Sequence, residues 1–187
     1  FTSIFFNGFK KLNYGELGIL GFFVIIVLSY STSFILAHNY VHNFIIHSLG
    51  VIFFFNNFSK SIDENKYQLK KIIIIFLILL SGVYVFKNHD DFPYYHLTYA
   101  LNLSNDSFFI GTGVLGHGFR TASSIFYYHS TLYLPLIKFY LFHSGPFLIL
   151  IYFNYIVLSK IIKKFKSKSI DLVYYFSLLS LIFIDVA

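Results

Sequence analysis

Long apolar runs recur along this chain, separated by stretches that carry most of its lysines. That alternation restricts the fold more than any other feature. Leu17–Ala37, Phe44–Phe55, Ile72–Phe86 and Pro146–Leu158 are apolar almost throughout, and a fifth run starts near Leu172. An α-helix rises about 1.5 Å per residue, so about 20 apolar residues cross the roughly 30 Å of hydrocarbon in a bilayer. With 57% hydrophobic and 12% charged residues in a length of 187, a water-soluble core could not enclose this much Phe, Ile and Leu. Lipid must solvate many of these side chains, and backbone polarity then favours helices for the crossings. The expectation is an all-α polytopic membrane protein, a single transmembrane region over residues 1–187 with about five transmembrane helices.

The chain opens on Phe1 rather than Met and reaches Ala187 inside an apolar run, as expected of a piece of a longer protein. No small-residue cleavage site follows the apolar stretch behind Lys10 and Lys11, so that stretch reads as a span and not as a removable signal. Cysteine is absent, which excludes a disulfide framework and a thiolate metal site.

Charge sets the orientation. Lys10 and Lys11, Lys60 to Lys71, and Lys160 to Lys168 hold most of the 14 basic residues. Alternating spans bring all three clusters to one side, which the positive-inside rule assigns to the cytoplasm. The lysines therefore read as a topology signal and not as a nucleic-acid site. Lys87, Arg120 and Lys138 fall on the other side. So do all 8 histidines, His38, His42, His47, His89, His96, His117, His129 and His143, on or near that face, with Asp90, Asp91 and Asp106. The pair His38-x-x-x-His42 reads as one helix face in a short outer turn, an interfacial placement.

Between about Asn88 and Gly145 the chain stays outside or at the interface. Phe92–Asn102 and Thr121–Phe142 have the spacing of amphipathic helices lying on the membrane plane, joined by a Gly-rich loop over Asn105–Arg120. Ser144-Gly145-Pro146 suits a helix start, with Ser as cap and Pro in the first turn. A long loop between spans, holding most of the polar groups, is where a site is expected.

Asp90 and Asp91 are the candidate catalytic residues. Ionisable groups beside lipid are costly, and a partly desolvated carboxylate is raised toward the range of a general base. The competing reading is a helix terminus ahead of Pro93, with one acid as a cap. His89 and His96 flank the pair and could complete a divalent-metal site with it. Arg120 is the one arginine, and its planar guanidinium suits a phosphate or carboxylate. With His117 and the backbone of Gly116 and Gly118 it forms the candidate substrate-binding group. Gly111-x-Gly113-x-x-Gly116 matches a dinucleotide fingerprint literally, but no βαβ unit surrounds it.

These residues resemble the membrane glycosyltransferases of the C-type fold. An apolar helix rises from the cytoplasm into an acidic residue at the start of a long outer loop with interface helices. The stretches His89-Asp-Asp-Phe-Pro-Tyr-Tyr-His96 and His117-Gly-Phe-Arg-Thr-Ala-Ser-Ser-Ile-Phe-Tyr127 also resemble a group of bacterial multi-span proteins with that organisation. The likeness covers roughly Ile72–Leu158. It implies that Asp90 or Asp91 is the catalytic or metal-linked acid, that the donor is a lipid-linked sugar on a polyprenyl phosphate, and that the protein sits in a bacterial inner membrane. Two spans precede the acid here, whereas many of those enzymes place it after the first. The rival expectations are a transporter or flippase, with ionisable residues inside spans, and a non-catalytic assembly subunit.

Overall fold

The computed structural model describes residues 12–58, 62–83, 92–108, 110–114, 123–142, 144–168 and 171–186. Among them the chain is helical, with no strand beyond an isolated bridge between Leu134 and Lys138. The helices are α1 (Tyr14–Ser33), α2 (Tyr40–Phe58), α3 (Ile62–Val83), α4 (Leu97–Asn105), α5 (Ser124–Thr131), α6 (Ser144–Lys166) and α7 (Leu172–Val186). A π-helical turn, Phe92–His96, leads into α4, and a 3-10 turn covers Thr112–Val114.

Two helices, α1 and α6, are long and apolar enough to cross a membrane. Asn13 starts α1 through a capping box: its Oδ1 accepts the Glu16 amide at 3.0 Å while Glu16 Oε2 accepts the Asn13 amide at 2.9 Å. The buried serines of α1 cost little, because Ser29 and Ser33 donate back to the carbonyls of Ile26 and Tyr30 at 3.0 and 2.7 Å. α1 and α6 approach closely where α1 has Gly15 and Gly18. A Cβ on Gly15 would lie 2.8 Å from the Tyr152 carbonyl oxygen, and one on Gly18 would lie 2.4 Å from the Tyr152 ring. Small residues at such seams let backbones approach where lipid supplies no hydrophobic drive.

The apolar stretch of α2, Tyr40–Asn56, and that of α7, Leu172–Leu181, are shorter. α3 extends further toward its start than the apolar run Ile72–Phe86 suggests, because Ile62–Lys71 is helical too. Lys, Glu and Gln are strong helix formers, so this lysine-bearing stretch is a helix and not a loop. Lys71 Nζ lies 4.1 Å from the centroid of the Tyr67 ring, one turn away.

Both segments expected to form interface helices pack against the rest of the protein, the first on one face and the second all round. In the first, Tyr99, Ala100, Leu103 and Ser104 of α4 are buried. In the second, only Ser124–Thr131 of the expected stretch Thr121–Phe142 is helical, and Phe126 to Thr131 are all buried. A helix buried on every face has no polar side to lay against headgroups. Pro135 disfavours helix at the residue before it, and the chain turns through Leu136 and Lys138 at positive φ. α6 then begins at Ser144, with Gly145 and Pro146 in its first turn as expected.

The core at this end joins Phe22 and Ile26 of α1 to Ala100, Tyr128, Leu132 and Phe142. Phe22 meets Tyr128 at 4.4 Å between ring centroids, and Tyr30 meets Tyr127 at 5.0 Å. At the other end Gln68 Oε1 of α3 accepts the Tyr14 amide of α1 at 3.0 Å and the Tyr155 hydroxyl of α6 at 3.2 Å. Lys66, Lys70 and Lys71 on α3 and the lysines closing α6 therefore share one end of the bundle. The described histidines lie toward the other.

Candidate functional site

Asp90, Asp91, His89, Gly116, His117, Gly118 and Arg120 lie outside the described residues. Beyond each of the two segments that carry them, the described chain resumes as a helical element. The π-helical turn begins at Phe92, next to Asp91, and α5 begins shortly after Arg120. These two elements pack on each other. Phe126 of α5 stands 6.2 Å from Tyr95, 5.0 Å from His96 and 5.2 Å from Tyr99, measured between ring centroids. The Tyr99 and Tyr127 hydroxyls meet at 3.3 Å, and burial pushes the Tyr127 phenol above its ordinary range, helped by Tyr99. His96, a candidate metal ligand, packs against Phe126 and the edge of Tyr95. Among the described residues no three His, Asp or Glu side chains gather as a metal site would require.

The structure also brings together a polar cluster where α1, α2 and α5 meet. Its members are Thr32 at the end of α1, His38 in the connecting turn, His42 and Asn43 in the first turns of α2, and Ser130 on α5. His38, Asn43 and Ser130 are 0% exposed. Asn43 Nδ2 lies 2.7 Å from the His38 carbonyl, 2.8 Å from that of Ser130 and 2.9 Å from that of Tyr133. Three carbonyls around one atom fix it as the amide nitrogen, so Asn43 Oδ1 is an acceptor. His42 Nδ1, 2.9 Å away, must donate to it.

The remaining directions follow from that anchor. Neutral His42 then has its lone pair on Nε2, which faces Thr32 Oγ1 at 3.0 Å. With its hydrogen on that nitrogen, and not on the Ser29 carbonyl 3.2 Å away, the Thr32 hydroxyl accepts from His38 Nε2–H at 3.2 Å. His38 Nδ1 is left as an acceptor for the Ser130 hydroxyl at 2.6 Å, the other acceptor of that hydroxyl being the Tyr127 carbonyl at 2.8 Å. The two imidazoles stack, 4.6 Å between centroids and 8° between planes. Burial, and after it the neighbouring His42, push His38 down to about 4, against a smaller opposing effect of the Ser29 backbone.

His38 and His42 do not share a helix face as their spacing suggests, because His38 precedes α2. His38 is fully buried and His42 partly exposed. His47 adds a third tie, its Nε2 2.9 Å from the Thr131 carbonyl. Tyr40 stacks on Tyr133 at 4.7 Å. Sequence reading singled out the histidines but missed Thr32, Asn43 and Ser130. The usable signal was the run His38-Asn-Tyr-Val-His-Asn43, polar between two apolar stretches.

No family model matches the chain, and neither a curated protein nor a solved structure matches it.

Proposed function

We propose that this chain is the membrane region of a glycosyltransferase that takes its sugar from a polyprenyl-phosphate carrier at the outer face of a bacterial cytoplasmic membrane. In this reading α1, α2, α3, α6 and α7 all cross the bilayer, and the lysine-bearing end faces the cytoplasm. The observation that carries it is the packing of the Phe92–His96 turn on α5 through Phe126. Each of these elements comes directly after one of the two segments that hold the expected site groups. An ordered, aromatic-walled outer layer is what an enzyme handling an amphiphile at headgroup depth needs.

Asp91 or Asp90 accepts the proton of the acceptor hydroxyl as its oxygen attacks the anomeric carbon. General-base help of this kind contributes about 10²–10⁴-fold. The bond to the carrier phosphate breaks, and Arg120, with the amides of the Gly116 to Gly118 stretch and with His117, stabilises the departing phosphate. The test is sugar transfer by the full-length protein carrying Asp90→Asn, Asp91→Asn or both. Loss of transfer in one single variant and in the double is the expected result, and full activity in all three removes the mechanism.

A further inference from the structure

We propose that Thr32, His38 and His42 form a proton-binding site that loads one proton at His42 Nε2, with the Thr32 hydroxyl as its switch. In the neutral cluster the Thr32 hydroxyl has two acceptors in reach, the Ser29 carbonyl at 3.2 Å and His42 Nε2 at 3.0 Å, and the lone pair that the Asn43 anchor leaves on Nε2 takes it. A proton arriving from water on that nitrogen needs an acceptor, and Thr32 Oγ1 becomes one when its own hydrogen turns away. A second acceptor stands ready, because the Ser29 carbonyl lies 3.2 Å from Thr32 Oγ1. After the turn, Oγ1 accepts from both imidazoles and donates to Ser29. Every donor keeps a partner in both states, so loading breaks no hydrogen bond without replacing it.

The order of loading follows from position. His42 is partly exposed while His38 is fully buried, so water reaches His42 first. A second proton, on His38 Nδ1, would require Ser130 to turn to the Tyr127 carbonyl 2.8 Å away. It would also set a second positive charge in the stack, in a buried place.

A transition metal fits less well. Only two imidazoles meet here, and among the described residues no third His, Asp or Glu side chain joins them as a tetrahedral site would need. A hydroxyl between the rings can serve each in turn. Other titratable groups on the elements packed here are Tyr14, Glu16 and Tyr30 on α1, Tyr40 and His47 on α2, Tyr99 on α4, and Asp106 after it. The remainder are Tyr127, Tyr128 and His129 on α5, and Tyr133 beyond it. Among the described residues neither imidazole is hydrogen-bonded to any of these side chains: the ring partners are Thr32, Asn43 and Ser130.

The site joins α2 to α1 and α5, so its state is coupled to how α2 docks. The inference does not depend on the transferase reading. Its test is long-range ¹⁵N–¹H NMR of the histidine-labelled full-length protein in micelles, titrated from pH 9 to pH 4. Resonances are assigned with His38→Gln and His42→Gln. At high pH the expected tautomers are Nε2–H for His38 and Nδ1–H for His42. On acidification His42 becomes the imidazolium while His38 keeps its tautomer. Thr32→Val should mix the His38 tautomers, and Thr32→Ser should restore them. The proposal is overturned by a neutral His38 bearing Nδ1–H, by His38 charging with or before His42, or by a neutral His42 at pH 4. It is equally overturned if Thr32→Val changes neither tautomer, or if Zn²⁺ at pH 7 shifts both Nε2 resonances together. Should Thr32→Val fail to fold, the wild-type and Thr32→Ser titrations decide alone.

Discussion

Asn43 offers the sharpest perturbation, because its role as a donor can be separated from its role as filler. Its amide nitrogen, with two hydrogens to share, lies 2.7 to 2.9 Å from three carbonyls, and its oxygen takes the His42 Nδ1–H at 2.9 Å. A buried polar group left without its partner costs about 1–3 kcal/mol. The Ser130 carbonyl also accepts the Tyr133 amide at 3.2 Å and so loses less, and Asn43→Ala should cost about 2–4 kcal/mol in all. Asn43→Asp keeps the shape but turns a carboxylate toward the three carbonyls, and should cost more than Ala at pH 7. Protonation of that Asp at low pH restores one donor, so the Asp variant should recover part of its deficit on acidification. Unfolding in sodium dodecyl sulfate titrations of micellar protein, followed by circular dichroism, measures both. If both variants lose less than about 0.5 kcal/mol, or if Asp is milder than Ala at pH 7, the anchor and everything derived from it are wrong.

Gly15→Val places side-chain atoms against the Tyr152 carbonyl and the Ile156 side chain, and overpacking of this kind should cost about 1–3 kcal/mol in the same unfolding assay. Phe142→Ala empties a fully buried site between α1, α4 and α5 and should cost about 3–5 kcal/mol. His38 is depressed from 6.5 to about 4 in the folded chain, so the unfolded chain binds the extra proton between those values. Its contribution is complete above 6.5 and is lost as pH falls toward 4, a slope of stability against pH that His38→Gln should flatten.

How much of this was legible in the sequence depends on the range of the interactions. Apolar runs mark α1 and α6 because length and hydropathy are local properties. The lysines of α3 hid a helix, since hydropathy reports where lipid contact begins and not where a helix begins. α5 was misread for a related reason. Phe126-Tyr-Tyr-His129 suits an interface, and its burial depends on α1 and α4, which no local window contains. The polar cluster is the hardest case. Ser130 lies 92 residues from His38, and Asn43 looks like any residue of an early helical turn until three carbonyls surround its amide. Asp90, Asp91, His117 and Arg120 were legible only as chemistry in a suggestive order.

The lysine-bearing and histidine-bearing ends of the bundle are expected to face opposite sides of a bilayer. The chain contains no cysteine, so single cysteines report cleanly. Tyr94→Cys, at a site 78% exposed three residues after Asp91 in the sequence, should react with a membrane-impermeant maleimide on intact cells. Lys168→Cys, beyond α6, should react only after permeabilisation. Both positions reacting from the same side would contradict the account.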